Sequence, residues 1–116
     1  NRGSGDLEIT IWQSDENEGF TDKDAIVTVD GKKVTVPAGG KVILKPGQSV
    51  TLVPYQYHMW QGVPGTGDVM LFEVSTTNDD NVDNRFYEPQ DRIPAVEEDE
   101  ETKYLMFADY KNYVKF

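Results

Sequence analysis

The stretch AIVTVDGKKVTVPAGGKVILKPGQSVTLVP, residues 25–54, decides the fold class. Val27 and Val29 precede Asp30-Gly31, and Val34 and Val36 follow it. A period of two belongs to a strand with one face turned to a core. Asp-Gly supplies the positive φ angles of a tight primed turn, so residues 25–36 read as a β-hairpin. Pro37 and Gly39-Gly40 then break the chain before a further short strand. Lys45-Pro46-Gly47-Gln48 separates that strand from the next. On the N-terminal side, LEITIW (7–12) puts Leu7, Ile9 and Ile11 on one face. On the C-terminal side come YQYHMW (55–60) and DVMLFEVST (68–76), joined by the Gly/Pro-rich QGVPGTG. About seven short strands, with a turn signal between each pair, predict an all-β antiparallel sandwich or small barrel.

A length of 116 residues suits one domain, spanning 1–116, with a core that needs no covalent staples. Residues 77–101 are mostly Asp, Glu and Asn, and 76–102 reads as an acidic loop. Residues 103–116 form an aromatic C-terminal segment with Tyr104, Phe107, Tyr110, Tyr113 and Phe116. It is expected to be a final strand, a short helix being the other reading. The net charge of -10 argues against nucleic acid and anionic membrane as partners, since both attract clustered Lys and Arg. With no Cys, neither disulfides nor a thiolate zinc site can form, which fits a reducing, cytoplasmic setting. No apolar run approaches the roughly 18 residues of a membrane span, and the chain does not open like a signal peptide.

One histidine, His58, stands out. Alternation places Gln56, His58 and Trp60 on one face of their strand and Tyr57 and Met59 on the other. If the first face turns inward, it makes a polar, aromatic-lined cavity suited to a small molecule. The other reading is a histidine hydrogen-bonded at the edge of the fold. A lone imidazole makes no transition-metal site without about two or three further ligands. Few carboxylates lie on neighbouring strands: Glu8 in the first, and Glu73, which interrupts an apolar run. Asp79, Asn81 and Asp83 have the spacing that opens an EF-hand loop, but Asn84 and Gln90 stand where that loop needs Gly and Glu. Such a loop suits hydroxyl groups, with Arg85 fixing it through a carboxylate. Nucleophile-elbow and phosphate-loop motifs are missing.

LKPGQSVTLVPYQYHMWQG (44–62) resembles the second sequence motif of the cupins, where a Pro-containing turn precedes a metal-binding His. FEVSTTNDDNVDNRF (72–86), followed by EEDEE (97–101) and YLMFADY (104–110), resembles a narrower group, the D-lyxose isomerase cupins. NRGSGDLEI (1–9) resembles the stretch just after that family's first motif, so the likeness spans nearly the whole chain. It implies a cupin-type jelly roll and interconversion of an aldose and a ketose, such as D-lyxose and D-xylulose. It also implies a divalent metal, most often manganese, held by a His-x-His pair and a Glu of the first motif plus the motif-two His. His58 alone maps onto a ligand here. The resemblance further implies Glu73, Asp80 and Asp83 as acid/base candidates and Asp79 and Arg85 as sugar-binding candidates, beside Gln56 and Trp60. A pentose substrate and a homodimer are the partners expected. The competing reading is a non-catalytic cupin module that binds carbohydrate or serves an assembly.

Overall fold

The computed structural model describes residues 1–77, 79, 83–89, 97, 99, 100, 103–105, 109–113 and 115. They fall into two compact units, Asn1–Asn78 and Asp79–Phe116. The first unit is all-β, built from two antiparallel three-stranded sheets around one apolar core. In one sheet β1 (Leu7–Gln13) lies between β4 (Gly40–Leu44) and β6 (Gln56–Gly62). In the other, β2 (Ala25–Val29) lies between β3 (Lys32–Val36) and β5 (Val50–Thr51).

The expected hairpin is present. Ala25 faces Val36 and Val27 faces Val34 across β2 and β3. Asp30 and Gly31 take φ of 45° and 81° at the turn. Asp and Gly tolerate this left-handed region better than other residues, which is why the turn sits there. The Asp30 carboxylate also ties down the next loop. Oδ1 accepts from the Ser49 amide at 2.8 Å and its hydroxyl at 3.1 Å, and Oδ2 accepts from Gln48 Nε2 at 2.9 Å. These bonds, led by the Ser49 amide, hold the Asp30 carboxyl below its usual range. A lowered folded-state pKa contributes stability above the unfolded pKa and loses it as pH falls through the folded one. Wild-type protein is therefore expected to melt above Asp30→Asn at neutral pH. That gap closes as the pH drops below about 4, as thermal melts across an acid series would read. Asn keeps the turn preference but replaces one accepting oxygen by an NH2, so the comparison reads the charge together with one of the bonds it makes.

The core takes Leu7, Ile9 and Ile11 from β1, Val42 and Leu44 from β4, Ala25 and Val27 from β2, and Val36 from β3. Each fully buried Val, Leu or Ile side chain among them contributes roughly 1.5–3 kcal/mol. Register fixes which residues share this face. Leu7 pairs with Leu44 and Gly62, Ile9 with Val42 and Trp60, and Ile11 with Gly40 and His58. His58 and Trp60 therefore belong to the core-side row of the sheet. The opposite row carries Glu8, which bridges Lys41 Nζ at 2.7 Å and accepts from Gln61 Nε2 at 3.0 Å.

Two expected elements differ. Residues 68–76 are not a strand. The run meets the N-terminal segment through two backbone bonds, Arg2 N–H to Met70 O and Gly5 N–H to Asp68 O, both at 2.7 Å, and through Ser4 Oγ, which donates to Asp68 O at 3.4 Å. Phe72 and Val74 are 70% and 96% exposed. Alternation promises a strand only when a neighbouring strand and a covering layer complete it. The backbone approach is close: a Cβ on Gly5 would collide with Gly67 O, and one on Gly3 with Met70 N. In the second unit, the expected C-terminal strand is replaced by one helical turn, α1 (Tyr110–Tyr113). Asp109 stands just before it, where a carboxylate suits exposed helix N–H groups. Phe107 and Phe116 lie outside the described residues. Among the described residues, no helix is long and apolar enough to cross a membrane.

Candidate functional site

The turn before β6 sets the phase of the strand. Tyr55 takes φ of 66°, a left-handed conformation that costs a non-glycine residue roughly 1–2 kcal/mol. Three donors converge on its carbonyl: Ser14 N–H at 2.8 Å, Ser14 Oγ at 3.1 Å and Gln13 Nε2 at 2.9 Å. They hold the peptide plane that strain alone would release. Gln56 comes next and is 8% exposed. Its Oε1 accepts from Val53 N–H at 3.0 Å, and its Nε2 donates to Ile26 O at 3.0 Å and toward Gln13 Oε1 at 3.5 Å. The side chain thus links β6 to β2 of the other sheet. Its amide is engaged with the scaffold, in addition to whatever it offers a ligand.

His58 follows two residues later, opposite Ile11. It keeps the core-side direction but is exposed, whereas Gln56 on the same row is buried. Its Nδ1 lies 3.1 Å from Gln56 O. A carbonyl oxygen only accepts, so this contact places the ring proton on Nδ1 and leaves the Nε2 lone pair available. The Trp60 ring lies 5.2 Å from the imidazole at 47°, and Trp60 is 48% exposed. An imidazole with a free nitrogen beside an open indole face continues the buried Ile9–Ile11 row. This pair can offer one metal or proton contact and one apolar platform.

Glu8 and Glu73, in the same unit, lie off that row. Glu8 points from the opposite face of the sheet. Lys41 first, then Gln61, hold its carboxyl below the usual range by hydrogen bonding. Glu73 is exposed and lies outside the strands. In the second unit, Asp79 N–H donates to Asp83 Oδ2 at 2.6 Å, and Asp83 N–H returns a bond to Asp79 O at 2.8 Å. One Asp83 oxygen therefore closes its own loop. Arg85 Nη1 donates to Asn84 O at 3.0 Å. Asp80 lies outside the described residues.

The donor chemistry of His58 fits one ligand position of a metal site. Ligating histidines commonly donate their second ring N–H to a carbonyl. The described residues supply no group of three His, Asp or Glu able to hold an ion.

Sequence reasoning missed the aromatic packing behind β6. Trp12 stacks on Phe20 at 5.4 Å and 9°, and Tyr57 meets Phe20 edge-on at 4.9 Å. Tyr57 OH donates to Glu18 O at 3.1 Å. The one available signal was Phe20, a lone large apolar residue in the polar run SDENEGFTDKD.

The family model for D-lyxose isomerase matches residues 1–110. A D-lyxose/D-mannose isomerase of Serratia proteamaculans is 40% identical over 114 residues, covering 98% of this chain and 50% of that protein. A D-lyxose/D-mannose isomerase of Escherichia coli O157:H7 is 39% identical over 113 residues, covering 97% of this chain and 50% of that protein. The chain spans about half the length of these curated relatives. With 110 of its 116 residues matched to one family model, the chain belongs to the D-lyxose isomerase family.

Proposed function

We propose that this chain carries the His58 part of a metal-dependent aldose–ketose isomerase acting on D-lyxose, with D-mannose as a second sugar. The observation that carries the reading is the core-side position of His58, its Nδ1 bonded to Gln56 O and Nε2 left open beside Trp60. Family membership supports the chemical class. The reaction moves a proton between C1 and C2 through an enediol. A bound divalent ion, manganese in this reading, would polarise the sugar carbonyl and stabilise charge on its oxygen. His58 Nε2 is one ligand. The Trp60 face packs on the apolar side of the sugar. Glu73, Asp80 and Asp83 are the groups assigned to moving the proton, and Asp79 and Arg85 to holding hydroxyls.

A second reading, a non-catalytic carbohydrate-binding module, draws on one fact: the described residues gather no three-ligand metal cluster. An isomerisation assay separates the two. D-lyxose is expected to give D-xylulose with manganese present, to stop doing so after chelation, and to resume on adding the ion back. Sugar binding without turnover under any divalent ion overturns the isomerase reading in favour of the module.

A further inference from the structure

We propose that Gln56 is a positioning residue: its buried side chain fixes the peptide that holds His58 in the Nδ1–H tautomer, aiming Nε2 at the site. The inference rests on the proposed role of His58. Residues two apart on a strand share a face, so the Gln56 carbonyl lies within reach of the His58 ring. The contact is 3.1 Å and has only one possible direction, from Nδ1–H to the carbonyl. The carbonyl in turn needs a fixed peptide plane. β6 pairs with a strand on one side only among the described residues, so its peptides lack the two-sided support of a central strand. Gln56 supplies support from the side chain. Its amide accepts from Val53 N–H just before the turn and donates to Ile26 O in the other sheet, each at 3.0 Å. With Gln56 8% exposed, little water competes for these bonds. Gln13 adds a bond to the preceding carbonyl, Tyr55 O, at 2.9 Å. The β6 entry is thereby pinned at successive residues, immediately before the imidazole it presents.

The chain has a single histidine, so ¹⁵N and ¹³C spectra of its ring need no assignment against others. Spectra of the whole protein at alkaline pH, with the ring neutral, read the tautomer directly. The expected result is a predominant Nδ1–H form in wild type. In Gln56→Met the ratio of Nδ1–H to Nε2–H is expected to fall about threefold to tenfold, the ratio set by one neutral hydrogen bond. Met59→Ala, on the opposite face of β6 and remote from the Gln56 amide bonds, is expected to keep the wild-type ratio. A predominant Nε2–H form in wild type overturns the proposal even if Gln56→Met fails to fold. An unchanged ratio in folded Gln56→Met overturns it too, since the strand would then hold the carbonyl unaided. The readings fail separately. Nδ1–H in a protein without turnover overturns the isomerase reading alone, and Nε2–H in an active enzyme overturns the positioning role alone.

Discussion

His58→Ala is expected to lose bound manganese and to lower kcat/KM for D-lyxose by on the order of 10³, the rate equivalent of the several kcal/mol that a Lewis-acidic ion supplies. The same substitution is expected to shift unfolding free energy by only about 0.5 kcal/mol, as for other surface positions. The difference follows from the site. The ring is exposed and its one hydrogen bond runs to a carbonyl on its own strand, so little folding energy depends on it. Elemental analysis, steady-state kinetics and a denaturant curve on one preparation give all three quantities. Met59→Ala is the matched control. Met59 neighbours His58 but points from the opposite face and is 55% exposed, so its truncation is expected to leave metal and rate unchanged. Full metal content in His58→Ala, with kcat/KM within about tenfold of wild type, would show that the ligand role belongs to another residue.

The rows of the sheet were legible because two local signals agreed. Valine alternation assigned the core side of β2 and β3, and Asp30-Gly31 fixed the turn and hence the register. The same alternation placed Gln56, His58 and Trp60 together before any pairing was known, and pairing with β1 put that row on the core side. What alternation could not supply was coverage. Gln56 and Trp60 share a face, yet one is buried under the other sheet and the other is 48% exposed. Burial along an edge strand depends on how far the facing sheet extends, a property of residues distant in sequence. The apolar run Val69–Val74 failed for a related reason. Its composition promised a strand, but it lies against Gly3 and Gly5, whose missing side chains permit close backbone approach without a regular ladder. The Gln56 amide was read as a ligand group because polar residues on an inward face suggest one. Its partners, Val53 N–H and Ile26 O, are backbone groups that carry no mark in the sequence. The family resemblance rested on the run VSTTNDDNVDNRF, part of which lies outside the described residues, so that motif weighed more in the sequence than in the geometry.

Ile11→Ala is expected to cost about 2–5 kcal/mol of unfolding free energy, the range for truncating a buried aliphatic side chain. Against a total of roughly 5–15 kcal/mol for a native domain, that is a large share. Ile11 is 0% exposed on the central strand, so neighbours on both sides must shift to fill the space it leaves. Its partners across the strands are Gly40 on one side and His58 on the other. Gly40 has no side chain to move into the gap. Ile43→Ala deletes the same atoms from the same sheet, but Ile43 lies on the outer row opposite Glu8 and is 43% exposed. Its expected cost is about 1 kcal/mol or less, because solvent already covers much of the side chain. Urea unfolding of the two variants should show a lower midpoint for Ile11→Ala at unchanged slope. Equal losses would mean that the two rows are equally covered, and the register placing His58 on the core side would be wrong. Unequal losses in the expected order tie the site to the core: the row that excludes water at Ile9 and Ile11 emerges, at the edge strand, as the imidazole and indole of the site.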